Sequence, residues 1–360
     1  MSDAPLLHLI ADEIRLGGPI GLDRYIGLCL GHPVHGYYRT RDPFGPAGDF
    51  VTAPEISQMF GELLGVWVAA TRTLMGAPER LTLVELGPGR GTLMADALRA
   101  LRTLAPEVAI DLHLVETSPI LRRLQETRLA GRAAHWHESI ETLPPGPMIV
   151  LANEFFDALP VRQFERTAAG WCERLVGLGP DGAALAWGLR PEPDPLIARA
   201  ASLGSVLTLP SVALGMVRTL ARRLVRDGGV VLVLDYGHAQ PGFGDTLQAV
   251  RGHRFVDPLD TPGEADLTTH VDVAALARAA EAEGARCHGP VDQRDVLLGL
   301  GLRQRADRLK ACATPEQGAA IEAAVARLTD PARRGMGSLF KVLAVSHPSL
   351  DALPGLPSPP

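Results

Sequence analysis

The segment LTLVELGPGRGTLMADAL, residues 81–98, leaves a chain few ways to fold. An apolar strand ends in the acidic Glu85, passes through a G-x-G-x-G turn at Gly87, Gly89 and Gly91, and opens into a helix. Glycines permit the tight turn and let a ligand approach the backbone, while the helix start offers unpaired N–H groups. A carboxylate 20–30 residues further on, at the end of the next strand, suits ribose hydroxyls, and Glu116 in HLVETSP occupies that place. Dinucleotide sites usually show G-x-G-x-x-G; here the third glycine comes one residue early. Glu85, two residues before the turn, is awkward beside a diphosphate and favourable beside the cationic sulfonium and amino group of S-adenosylmethionine. The expected cofactor is therefore S-adenosylmethionine, held by Glu85, Gly87, Gly89, Gly91, Glu116 and Asn153, the last closing the apolar run 147–151.

Around this segment strands and helices alternate from residue 81 to about 151, which implies right-handed βαβ units and a parallel sheet. The expected fold is α/β, a Rossmann-like sheet with an N-terminal helical cap and an inserted, mostly helical subdomain. Residues 1–78 read as N-terminal helices and a lid loop, and 79–238 as the cofactor-binding core with a short antiparallel extension over 161–189. Residues 239–335 read as an insertion of loop and helix, 336–347 as a last core strand, and the Pro-rich 348–360 as a flexible tail. Thr52 followed by Glu55, with Pro54 between them, reads as a capping box opening one helix.

Acceptor chemistry is sought where open α/β sheets place ligands, outside the carboxyl ends of the strands. NEFFDALP follows the run ending at Asn153 and carries Glu154 and Asp157. Paired carboxylates suit a planar, permanently charged guanidinium. Their alternative role is to buttress the following helix. Asp49 and Phe50 lie in a Gly/Pro loop expected to act as a lid, Asp49 as a catalytic candidate or else a turn residue. Tyr37 and Tyr38 are candidates for lining an arginine channel, with core packing the expected role for at least one of them. Asp235 and His238 close the run VVLVLDYGH and join the substrate-binding set.

The chain of 360 residues has a net charge of −6, against a bulk electrostatic grip on nucleic acid. Its four cysteines are scattered and its histidines form only loose pairs, so no metal site is expected. No apolar run of about 20 residues suggests a membrane span. The first residues, Asp3 among them, read as neither signal peptide nor presequence, giving a cytoplasmic expectation.

Several blocks together resemble the MidA-like family, which includes mitochondrial complex I assembly factors that act as protein arginine methyltransferases. They are GYY, GDFVTAPEISQMFGELLGVW, ELGPGRGTLMADALR, VETSPILRRLQ, NEFFDALPVRQF, DYGH, DTLQAVRGH, PGEADLTTHVD and MGSLFKVLA, in order from about residue 20 to 345. The resemblance implies a class I methyltransferase that binds S-adenosylmethionine and methylates arginine on a partner protein, in one branch a respiratory complex subunit. A non-protein acceptor, or a cofactor-binding scaffold without catalysis, are the alternatives.

Overall fold

The computed structural model describes residues 5–45, 48–332 and 335–357; Asp3, Pro46 and Ala47 of the expected lid loop, and the last three residues of the expected tail lie outside these. The chain forms two compact units. One comprises residues up to Phe50, Asp157–Gly215 and Pro241–Val271; the other comprises Val51–Phe156, Met216–Gln240 and Asp272 onward. The stretch 239–335, read as one insertion, is thus divided between them.

The second unit holds the expected parallel sheet. Its elements begin with α1 (Ala53–Ile56), α2 (Gln58–Leu74), β1 (Arg80–Leu86), α3 (Thr92–Leu104), β2 (Ala109–Val115) and α4 (Pro119–Arg128). They continue with β3 (Ala134–His137), β4 (Met148–Asn153), β5 (Gly229–His238), β6 (Arg286–Asp292) and β7 (Phe340–Ser346). These strands lie in the order β6-β7-β5-β4-β1-β2-β3. β5, β4, β1, β2 and β3 are parallel, and β7 runs antiparallel to β5 and β6. β4 is buried along its whole length, as a strand covered on both faces must be. The chain leaves β1 for β2 on one side and later returns to β4 on the other. The strand order therefore reverses beside β1, where open α/β sheets bind ligands.

The capping box is not formed. Thr52 makes no side-chain cap, and Glu55 instead accepts from the Thr92 hydroxyl and pairs with Arg90 at 3.6 Å. The expected single helix breaks in two, and Ser57 caps the second by accepting from the Met59 N–H at 3.2 Å. Gly61 and Gly65 let α2 lie close on α3: a Cβ at either would come within 2.6 Å of Asp96 Cβ or 2.5 Å of the Ala97 carbonyl oxygen, respectively. The stretch read as a flexible tail is held through much of its length. Leu350, Leu353 and Leu356 are buried, and the Trp67 indole N–H donates to the Pro354 carbonyl at 3.1 Å.

The first unit contains the helices Pro5–Gly17 and Leu22–Gly31 and a five-stranded antiparallel sheet that includes Arg162–Arg166, Trp171–Leu178 and Leu185–Leu189, as the short strand-like runs over 161–189 suggested. It also has a three-stranded sheet of Gln248–Arg251, Arg254–Val256 and Asp266–Thr268, within a region read as loop and helix. Strands of three or four residues show too few alternations to register as a period.

Candidate active site

The glycine turn after β1 has Gly87, Gly89 and Gly91 at φ of 60°, 52° and 76°. Only glycine enters this left-handed region without a Cβ penalty. At Gly87 a second constraint applies: a Cβ there would sit 2.8 Å from the Phe155 ring. Glu85 is 3% exposed, and its Oε2 is buried without a hydrogen-bond partner among the described residues. Burial, and then the charge of Glu116, push its carboxyl up to about 8. Glu116, just past β2, accepts from the Ser118 N–H at 2.7 Å and from the Gln125 side chain at 3.1 Å. Burial raises its pKa too, and these bonds oppose the rise. Asn153 ends β4 with its Oδ1 buried and, among the described residues, unpartnered. The structure thus brings all six expected cofactor residues to the carboxyl ends of β1, β2 and β4.

Glu154 follows at φ 49°, a left-handed conformation that costs a non-glycine residue roughly 1–2 kcal/mol. Its Oε1 accepts from the Ala53 N–H at 3.0 Å and the Asn153 amide at 3.2 Å, tying the start of α1 to the end of β4. Asp235, on β5, is wholly buried. Its Oδ2 accepts from the Phe155 and Phe156 N–H groups at 3.2 and 2.9 Å, and its Oδ1 from the Tyr236 N–H at 3.0 Å. Of the two substrate candidates on β5, Asp235 therefore fastens the turn after β4. His238 lies at the strand end with Nδ1 2.6 Å from the Gln240 carbonyl oxygen; since a carbonyl only accepts, Nδ1 carries the proton.

Orphaned acceptors at a sheet's switch point, around a glycine turn, fit an adenosyl cofactor with an ammonium and a ribose. Comparison with known proteins bears on this directly. A family of S-adenosyl-L-methionine-dependent methyltransferases matches residues 63–291. The chain belongs to this family. It is 38% identical to the Drosophila melanogaster protein arginine methyltransferase NDUFAF7 homolog, mitochondrial, over 92% of this chain and 83% of that one. It is 37% identical to protein arginine methyltransferase NDUFAF7, mitochondrial, of Danio rerio, over 94% of this chain and 86% of that one. A crystal structure of a Burkholderia thailandensis protein bound to S-adenosyl-homocysteine superposes with a TM-score of 0.83 at 30% identity, covering 98% of this chain and 94% of that one.

This member of the family is an S-adenosylmethionine-dependent methyltransferase with the expected Rossmann-like α/β fold. The cytoplasmic expectation is overturned: it rested on the first residues alone, whereas both relatives named above are mitochondrial.

In the first unit of the methyltransferase the Tyr37 hydroxyl donates to Asp49 Oδ2 at 2.5 Å, and Asp49 Oδ1 accepts from the Gly252 N–H at 2.6 Å. Both oxygens of the expected catalytic Asp49 are thus engaged, Oδ2 by Tyr37 and Oδ1 by Gly252 in the hairpin of the three-stranded sheet, which fastens its loop. Phe50 packs edge-on against Phe44 with ring centres 5.2 Å apart. Tyr38 meets Tyr37 edge-on and donates to Asp266 Oδ1 at 2.8 Å. Asp157 is buried, and its charge and that of Asp266, after burial itself, raise the Tyr38 pKa well above the ordinary value. Sequence reasoning missed Asp266, an acid opening a three-residue strand. It also missed Phe155, whose contact with Gly87 no spacing reveals, and gave Glu55 to a helix cap.

Proposed function

We propose that this methyltransferase transfers the methyl group to an arginine of a partner protein, the partner class implied by the family resemblance being a respiratory complex subunit. The observation that carries the reading is identity of 37–38% to relatives named protein arginine methyltransferases, over more than nine-tenths of the chain. Glu85, the glycine turn, Glu116 and Asn153 would hold the cofactor, Glu116 on the ribose and Glu85 toward the cationic end. When bound, S-adenosylmethionine supplies an electrophilic methyl group on a sulfonium. The chain's own contribution is to hold the acceptor in line and exclude water. Glu154 and Asp157 are assigned to the guanidinium, localising its charge away from the attacking nitrogen. The strained backbone at Glu154 supports this, because strain of that kind persists where function requires it. Tyr37, Tyr38 and Phe50 are assigned to the acceptor's surroundings; Asp49 and Asp235 are assigned to holding loops.

The test uses Glu154→Gln and Asp157→Asn with labelled cofactor and extracts containing acceptor proteins, followed by amino-acid analysis of the labelled product. Label should appear on arginine. Each variant should lose transfer by about 100-fold while binding S-adenosylhomocysteine within about threefold of the parent. Unchanged transfer in both variants would sink their role, and label recovered on lysine or on RNA would sink the acceptor.

A further inference from the structure

Gln125 lies on α4 and is fully buried, although glutamine is usually a surface residue. Its amide orientation is determined. The Trp136 indole N–H, on β3, donates to Gln125 Oε1 at 2.8 Å, and an indole nitrogen can only donate. Oε1 is therefore the acceptor end, and both hydrogens of Nε2 point the other way. One meets the Gly89 carbonyl at 2.7 Å and the other meets Glu116 Oε2 at 3.1 Å. Both of those atoms only accept when Glu116 is ionised, so a flipped amide would face two like dipoles. A single side chain thus joins the middle of the glycine turn to the acid at the end of β2. The same strand that carries Trp136 holds the Glu116 backbone, whose N–H donates to the His137 carbonyl at 2.9 Å.

We propose that Gln125, oriented by Trp136, is a positioning residue that holds the Glu116 carboxylate and the Gly89 peptide in register for the cofactor's ribose. The inference rests on the reading of Glu116 as the ribose acid. A buried carboxylate left without this donor would lose both its aim and part of what keeps it ionised. Core packing alone would also bury Gln125, but it would not tie its effect to the ribose hydroxyls.

That difference is measurable by calorimetry with two probes, S-adenosylhomocysteine and its 2′,3′-dideoxyribose counterpart, on the full chain. The parent protein should prefer the ribose form by roughly 10- to 100-fold, the range of a hydrogen bond to a charged group. Gln125→Leu should shrink the preference to about threefold, and Trp136→Phe should bring it between the two. If Gln125→Leu weakens both probes equally and keeps the parental preference, the residue only packs and the proposal fails. Should that variant not fold, Trp136→Phe decides alone, and an unchanged preference overturns the proposal. Glu116→Gln separates the underlying reading: a parent without preference, or a Glu116→Gln variant that keeps it, removes Glu116 from the ribose and the proposal with it.

Discussion

At the carboxyl end of β5, Asp235 is wholly buried and accepts from three backbone N–H groups, while at the carboxyl end of β1, Glu85 is buried almost as deeply with an oxygen that accepts from none of the described residues. Both acids close apolar strands, and both are site candidates from the sequence, Glu85 for the cofactor and Asp235 for the acceptor. The difference in partners separates them. A buried carboxylate whose lone pairs are met by the backbone is part of the scaffold, and its bonds shape the turn after β4. A buried carboxylate left unmet costs free energy in the absence of a ligand, and that cost is recovered only when a donor arrives. The comparison predicts that removing the first acid harms folding and removing the second harms binding.

The largest effect is expected at Asp235. Asp235→Ala would leave the N–H groups of Phe155, Phe156 and Tyr236 buried without an acceptor, at roughly 1–3 kcal/mol for each group that water cannot reach. Denaturant unfolding should show a loss of about 3–5 kcal/mol. Asp235→Asn keeps one acceptor oxygen and should recover about half. A loss below about 1 kcal/mol would mean that the turn after β4 is held by something else, and the contrast with Glu85 would collapse.

Glu85→Gln should do the reverse. Burial pushes the Glu85 carboxyl up to about 8 in the folded protein, against an ordinary 4.5, so the folded form holds a proton that the unfolded chain releases. Below pH 4.5 the two states are alike. Between there and about 8 the unfolded state gains by ionising, so the wild-type protein loses stability as pH rises. The glutamine variant lacks this slope and should be the more stable protein at pH 8. A cation bound against Glu85 needs it ionised, so binding of S-adenosylmethionine below pH 8 should release a proton. Calorimetry in two buffers of different ionisation enthalpy measures that release. The variant should release none and bind about 10- to 100-fold more weakly. Equal proton release in both proteins would move the site away from Glu85.

Much of this contrast could be seen in the chain before folding, and the reasons are local. The glycine spacing and the apolar runs before it mark β1, α3 and β2, because a strand buried on both faces and a turn that admits only glycine leave short-range signatures. Glu85, Glu116 and Asn153 follow from their positions at strand ends. What stayed hidden depends on residues far apart in sequence. Asp235 as a clasp for residues 155–156, Phe155 against Gly87, and Glu55 on Thr92 and Arg90 each need the sheet order to bring them together. The tail misled for a related reason. Its prolines signal an irregular backbone, and it is irregular, yet Leu350, Leu353 and Leu356 at every third position bury themselves on the core. The division of the chain was the least visible feature, since each unit is assembled from three separated segments.

The smallest of the three effects sharpens the comparison by altering neither acid. Gly87→Ala leaves Glu85 and Asp235 in place but adds a methyl group at φ 60°, where it would meet the Phe155 ring at 2.8 Å. The left-handed conformation alone costs alanine about 1 kcal/mol, and moving the ring adds to it, so a stability loss of about 1–2 kcal/mol is expected. Phe155 is also one of the residues whose N–H Asp235 holds, so the ring can yield only by disturbing that bond or by swinging about its own side-chain torsions. If it swings, Gly87→Ala and Asp235→Asn should be additive in denaturant unfolding within about 0.5 kcal/mol. If the backbone gives way instead, the double variant should be less destabilised than the sum, because the clasp that Asp235 provides is already strained. The first result would make the glycine turn and the Asp235 clasp independent parts of the site; the second would join them through Phe155.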